Sequence, residues 1–211
     1  MKLISVNVSP PREVAWEGET VLTGIFKEPV EGQVMLRRLN LDGDGQADLS
    51  VHGGVSKAVY AYPSEHYAYW RAELPEVAFP WGTFGENLTT EGLFEDALHI
   101  GDQLRIGTAL LVVTQPRVPC YKLTIRFDRD DMIKRFIASH TSGFYLAVLE
   151  EGELEAGSPI EIVDRDPATV SVADINRLYY GDSNDAGLLR RAVSVEALPQ
   201  GWRDYFLQKV G

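Results

Sequence analysis

Cysteine is nearly absent from this chain: Cys120 is the one cysteine in 211 residues. An intramolecular disulfide is therefore excluded, and the sulfur either packs as a small hydrophobe or does chemistry. Histidine is scarce as well. His52, His66, His99 and His140 show none of the close paired spacings of a structural zinc site. Positive charge is in deficit, with 20 Lys and Arg against 31 Asp and Glu and a net charge of −11. That excludes a general binder of nucleic acid polymers, which needs a basic face, and it excludes docking on anionic lipid. No apolar run approaches the length that crosses a bilayer; Ala109 to Val113 is typical. The start, Met1-Lys2-Leu3-Ile4-Ser5-Val6, enters strand-like alternation without the apolar core of a signal peptide, so a cytoplasmic protein is expected. Neither the phosphate-loop spacing nor a flavin or nicotinamide fingerprint occurs.

What is present suits one large domain, or one domain with a small appendage. The apolar fraction of 45% can fill a sizeable core. Up to about residue 165 the chain reads as mainly β. Val21–Phe26, Val34–Leu41, Asp102–Ile106, Ala109–Thr114, Gly143–Leu149 and Ile160–Val163 are short runs rich in Val, Leu and Ile. Turns such as Asp42-Gly43-Asp44-Gly45 bound them, and that density of short strands predicts a barrel or sandwich. Two helices are expected within this part: Glu65–Leu74, capped by Ser64, and Asp128–Ser139. After Asp166-Pro167 the pattern becomes helical. Ser171 caps Val172–Tyr180 with Asp174 at the third position, and two more short helical stretches follow, Asp185–Val193 and Arg203–Val210. The predicted organisation is a β-barrel domain over 1–166 and a helical extension over 167–211. The extension is too small to fold securely alone, so it should pack on the main domain or on a partner.

Three segments carry chemistry. The first ends Gln115-Pro116-Arg117-Val118-Pro119-Cys120 and continues to Lys122. Two prolines stiffen the approach, and flanking cations favour a thiolate, the form that attacks electrophiles and binds soft metals. The second is His52-Gly53-Gly54-Val55-Ser56-Lys57, where paired glycines let backbone N–H groups approach a ligand and a lysine adds charge for an anion. The third is Gly82-Thr83-Phe84-Gly85-Glu86-Asn87-Leu88-Thr89, whose Asn87 and Thr89 can donate to ligand oxygens or cap the next turn. Asp42 to Asp48 superficially suggests a calcium loop. Ala47 and Gly53 stand where glycine and a carboxylate are needed, so it reads as a tight turn. A cysteine hydrolase stays open, with His52 or His140 as base.

In order and spacing these pieces resemble the MOSC domain, closest to its stand-alone, YiiM-like bacterial branch. The matching strings are Thr23-Gly24-Ile25-Phe26-Lys27-Glu28-Pro29-Val30, Gly45-Gln46-Ala47-Asp48, His52-Gly53-Gly54 with Lys57-Ala58-Val59, and Glu65-His66-Tyr67. They continue with Phe84-Gly85-Glu86-Asn87-Leu88, Gln115-Pro116-Arg117 with Pro119-Cys120, and Gly143-Phe144-Tyr145. The resemblance implies an α+β, mainly β fold: a MOSC-like β-barrel with peripheral helices and a small C-terminal three-helix appendage. It implies a pterin-based molybdenum cofactor with Cys120 as sulfur ligand to the metal and as the catalytic residue. His52, Gly53, Gly54, Lys57, Gly85, Asn87, Arg117 and Lys122 would surround the cofactor. The activity implied is reductive detoxification of N-hydroxylated compounds such as N-hydroxylated nucleobases, with electrons from a separate reductase and a homodimer as an allowed state. The alternative is a sulfur-carrier or cofactor-binding module that uses Cys120 without turning over substrate.

Overall fold

The computed structural model describes residues 1–47, 53–181 and 185–210. His52, Asp48 and the rest of 48–52 lie outside the described residues, as do 182–184 and 211. The strands are β1 (Lys2–Val8), β2 (Arg12–Trp16), β3 (Glu19–Thr23), β4 (Glu28–Val30), β5 (Val34–Leu36) and β6 (Val59–Pro63). They continue as β7 (Leu88–Glu91), β8 (Gln103–Ile106), β9 (Ala109–Pro116), β10 (Phe144–Glu150), β11 (Gly152–Leu154) and β12 (Ile160–Asp164). The helices are α1 (His66–Glu73), α2 (Tyr121–Phe127), α3 (Met132–Ser139), α4 (Val172–Tyr180), α5 (Ala186–Ser194) and α6 (Gln200–Val210).

Eight strands form the main sheet in the order β12-β8-β9-β10-β6-β7-β1-β4; β2–β3 and β5–β11 are separate pairs. All ladders are antiparallel except β6–β7, which is parallel and so needs the long crossover through α1. The closed barrel expected from the sequence is corrected here: the sheet curls without closing. Its terminal strand β12 comes round only to the first residues of β1, where Lys2 bridges Pro159. Leu3 N–H donates to the Ser158 carbonyl at 2.9 Å and Ile160 N–H to that of Met1 at 3.0 Å. Pro159 has no N–H to extend a ladder, so the strands meet at one corner alone.

Several element boundaries differ from expectation for local reasons. β3 stops at Thr23 and the chain turns at Gly24, where an added Cβ would lie 2.6 Å from the Gly45 carbonyl oxygen. β5 ends at Leu36 because Arg37 turns back, its N–H donating to the Asn40 carbonyl at 2.8 Å. α1 begins at His66 without a side-chain cap. The run expected as one helix over Asp128–Ser139 is α3 alone: Asp128 ends α2 in the left-handed region at φ 50°. α4 matches its signature, with a capping box in which Ser171 Oγ accepts from Asp174 N–H at 3.0 Å and Asp174 Oδ2 accepts from Ser171 N–H at 3.1 Å.

Two buried clusters fill the interior. The larger is aliphatic. It joins sheet residues such as Leu3, Leu104, Val113 and Leu146 to Val172, Ile175, Leu189 and Phe206 of the C-terminal helices. The smaller is aromatic and joins Tyr60, Tyr62, Tyr67, Trp70, Phe84 and Phe136 between β6, α1, α3 and the 82–85 loop. The cleft described next opens beside the aromatic cluster.

Candidate functional site

Five segments from distant parts of the sequence meet around one cleft. They are the chain after β3, the Asp44–Ala47 turn, the turn ending at Lys57, the loop before β7, and the stretch from β9 into α2, with Tyr60 of β6 and Tyr145 of β10 completing the lining. Its empty volume is about 620 Å³, counting the open mouth. Gly53, Lys57, Gly85, Asn87, Arg117, Cys120 and Lys122 all line it, so seven of the nine residues named from sequence converge. Gly54 sits behind them as the residue before the single turn of 3-10 helix, Val55–Lys57, at φ 82°. His52 is outside the described residues. His140 does not line the cleft; it borders a small neighbouring cavity with Phe136, Ile137 and Tyr180, and Arg117 is common to both.

The cleft is basic within an acidic chain. Lys27, Lys57, Arg117 and Lys122 face it, with Asp44 as the one carboxylate among the described residues of the lining. Asp44 is already committed. Its Oδ1 takes Lys27 Nζ at 2.5 Å and Ser9 N–H at 3.0 Å, and its Oδ2 takes Asn87 Nδ2 at 2.9 Å. Burial lowers the Lys27 pKa, and the Asp44 charge opposes that shift. Lys122 is 8% exposed and makes no hydrogen bond or ion pair among the described residues. A buried ammonium without a partner is costly, and an anion in the cleft would supply the missing one. Burial also lowers the Lys57 pKa, with the sulfur of Cys120 acting against it, which places both groups within electrostatic reach.

The walls are held by groups that cannot turn toward a ligand. Asn87 accepts from Tyr60 N–H at 3.1 Å through Oδ1 while Nδ2 serves Asp44, so its amide fixes the wall. Glu86, fully buried, accepts from Gly82 N–H at 2.9 Å, Phe84 N–H at 3.1 Å, Thr89 Oγ1 at 2.9 Å and the Tyr67 hydroxyl. That network shapes the loop that presents Gly85. Gly85 is at φ +79°, and an added Cβ would approach Ile25 Cγ1 to 2.8 Å. Arg117 is 5% exposed; its guanidinium donates to the Phe84 carbonyl and lies 4.7 Å from the Tyr60 ring centroid and 5.5 Å from that of Phe136. Cys120 stands at the start of α2 with its residue partly exposed. Thr114 Oγ1 and Gln115 Nε2 pin the turn that carries Lys57, both donating to the Ser56 carbonyl at 2.7 and 3.3 Å.

Sequence reasoning missed Lys27, Asp44, Tyr60 and Tyr145 as lining residues. Lys27 and Asp44 were on view in quoted strings, but only their pairing across a turn makes them neighbours. Chemically the cleft offers one soft sulfur and an excess of cations on glycine-bearing loops. That donor set suits an anionic, phosphate-bearing ligand that also presents a soft metal.

Comparison with known proteins places the chain in a family. Residues 48–161 match the MOSC domain family, and residues 170–210 match the YiiM-like, 3-alpha helix domain. The chain is 40% identical over 207 residues to the uncharacterized protein YflK of Bacillus subtilis (strain 168), covering 98% of this chain and 93% of that one. The crystal structure of YiiM from Geobacillus stearothermophilus superposes with a TM-score of 0.83 at 36% identity, covering 100% of this chain and 99% of the other. A protein named reductase from Gibberella moniliformis (strain M3125 / FGSC 7600) is 34% identical over 190 residues, which are 89% of this chain and 34% of the relative. Sheet, cleft and C-terminal helices together show that the chain belongs to the MOSC domain family, in its YiiM-like branch.

Proposed function

We propose that the protein is a molybdenum-cofactor enzyme that reduces N-hydroxylated compounds, N-hydroxylated nucleobases among them. One observation carries the reading: Cys120 shares a cleft with Lys57, Arg117 and Lys122, which has no partner among the described residues. The residues present fit the cofactor. Cys120 would ligate the metal, because a thiolate is the protein ligand that soft metals favour. Lys57, Lys122 and Arg117 would hold phosphate and pterin by charge-assisted hydrogen bonds, and the Gly53 and Gly85 backbones would let the ligand approach closely. When bound, the group supplies two-electron redox chemistry; the protein orients it and sets the charge around it.

The net reaction takes an N–OH group, two electrons and two protons to N–H and water. The chain carries no flavin or nicotinamide fingerprint, so we assign the electrons to a separate reductase. The reductase-named relative supports this, since about two thirds of its length has no counterpart here. The same reading has the enzyme work in the cytoplasm.

Freshly purified protein should contain molybdenum and pterin and should reduce an N-hydroxylated base once a reductant is supplied. Cys120→Ser replaces a soft ligand with a hard, protonated hydroxyl. It should retain pterin, held by the cations, lower the activity by two orders of magnitude or so, and leave thermal stability nearly unchanged. Wild-type activity in Cys120→Ser with pterin bound would rule out the ligand role. Bound molybdenum without turnover of any N-hydroxylated compound would favour the carrier module instead.

A further inference from the structure

The basic cleft has an outer neighbour. Lys57 also borders a second groove, whose far wall belongs to the C-terminal helices and whose empty volume is about 940 Å³, counting its open mouth. Tyr179 at the end of α4 and Trp202 and Tyr205 on α6 form that wall. Their rings meet edge-on: the Tyr179 centroid lies 4.9 Å from that of Trp202 and 5.5 Å from that of Tyr205, each at 62°. Trp202 spends its single polar group inside the protein, with Nε1 donating to Gln115 Oε1 at 2.7 Å. Gln115 in turn donates to the carbonyl of Ser56, in the turn that ends at Lys57. The aromatic wall and the lysine it faces are therefore tied together by two hydrogen bonds. At Gly201, in the same lining, nothing lies within 4 Å of an added Cβ, so the groove is open there.

We propose that this outer groove binds the flat, heteroaromatic part of the substrate by stacking, which makes the C-terminal helices the specificity element of the enzyme. The inference rests on the reductase reading above and extends it. Three arguments select the ligand. Three aromatic faces, with the one indole N–H already spent inside the protein, offer π surface, which rewards planar rings over flexible chains. Among the described residues the lining contains no carboxylate and one cation, so it suits a neutral or electron-rich ring. Lys57 is common to both cavities, so a ring in the outer groove has its edge beside the inner cleft, where an exocyclic N–OH could enter.

The test separates binding from turnover. Adenine is the probe, followed by tryptophan fluorescence, with Trp202 among the residues reporting. Tyr179→Leu removes a ring that is 37% exposed, so folding should survive, and Gly201→Leu fills the groove without deleting any packing. Each should weaken adenine binding about fivefold to a hundredfold, whereas Tyr179→Phe, which keeps the ring, should stay within about twofold. In turnover, the ratio of kcat/KM for N6-hydroxyadenine to that for N-hydroxyguanidine, which has no ring, should fall by the same factor in the two Leu variants. No adenine binding by the wild type, or unchanged binding and an unchanged ratio in both variants, overturns the proposal. A wild type that reduces both compounds while the variants keep its ratio defeats the groove and leaves the reductase reading intact. A wild type that binds adenine through these residues but reduces nothing defeats the reductase reading and leaves the groove.

Discussion

The aliphatic and aromatic clusters are built on different principles, and only the aromatic one borders the basic cleft. The aliphatic cluster is mostly Leu, Val and Ile, runs from β1 to α6, and packs without directional contacts. The aromatic cluster ties off its polar tips one by one. Tyr60 donates to the Ser142 carbonyl at 2.9 Å, Tyr62 to Thr141 Oγ1 at 3.0 Å, Trp70 Nε1 to the Tyr62 hydroxyl at 2.8 Å, and Tyr67 to Glu86. Each ring is thereby fixed in rotation as well as position. Arg117 rests on that surface, and its guanidinium can be buried because aromatic faces and a carbonyl take the place of water. Non-directional packing holds the chain together, whereas directional packing aims a cation into the cleft. Lesions in the first cluster should cost stability, and lesions in the second should also disturb the site.

The largest effect should come from the aliphatic cluster at its far end. Phe206 on α6 is 0% exposed and packs in the same cluster as the sheet. Phe206→Ala should lower unfolding free energy by about 3–5 kcal/mol. Because the cluster is continuous, the melt should stay a single transition whether followed by far-UV dichroism or by aromatic signals. Two separated transitions would show that the helices are an independent unit and would break the comparison.

Next in size is the anchor of the aromatic side. Glu86→Gln keeps the shape but turns one acceptor oxygen into an NH₂ group facing donors already in place. Removing a buried charge works in its favour, since burial raises the Glu86 pKa. Loss of an acceptor works against it, for Phe84 N–H if the NH₂ replaces Oε2 or for Gly82 N–H, Thr89 and Tyr67 if it replaces Oε1, and we expect this to win by about 1–3 kcal/mol. Unlike Phe206→Ala, the variant should also weaken phosphate binding, because the loop carrying Gly85 and the carbonyl that orients Arg117 both depend on Glu86. Equal stability loss with unchanged phosphate affinity would show that the aromatic side is only a core.

How much of this was legible in sequence follows the range of the interactions. β8, β9 and β10 stood out because apolar runs ended at glycine or charged turns. α4 stood out because its capping box spans only four residues. β6, Val59–Pro63, was missed: all five residues are buried, so it shows no alternation. α2 was missed because Pro119 and the left-handed Asp128 leave room for a helix of only seven residues. Within the site, Arg117, Cys120 and Lys122 are local and readable, and Lys57 announces itself through its glycines. The Lys27–Asp44 pair spans 17 residues through a turn, and nothing in composition reports such a meeting. The net charge of −11 did not hide the basic cleft, because whole-chain charge says nothing about which side chains point inward, and the cations beside Gly53-Gly54 and Cys120 carried that reading.

The smallest effect is a matter of pH and bears on Lys57 alone. Burial lowers its pKa from the ordinary lysine value, and the neighbouring sulfur offsets part of the shift. A lysine is charged below its pKa, so Lys57 should lose its charge on the alkaline side earlier than a solvent-exposed lysine. A phosphate monoester is fully ionised above about pH 7, so between pH 8 and 10 the ligand's own charge stays constant. Phosphate-monoester affinity should therefore fall across this window, by about threefold to tenfold, as one charge-assisted contact weakens. The Lys27 pKa is lowered as well, though Asp44 holds its ammonium, so a control must assign the effect. Lys57→Arg stays charged throughout the window and should bind with a flat profile. Lys57→Gln should bind weakly at every pH, with no alkaline fall. If Lys57→Arg kept the wild-type decline, the titrating group would be another lysine, and the aimed cations of the cleft would not include Lys57.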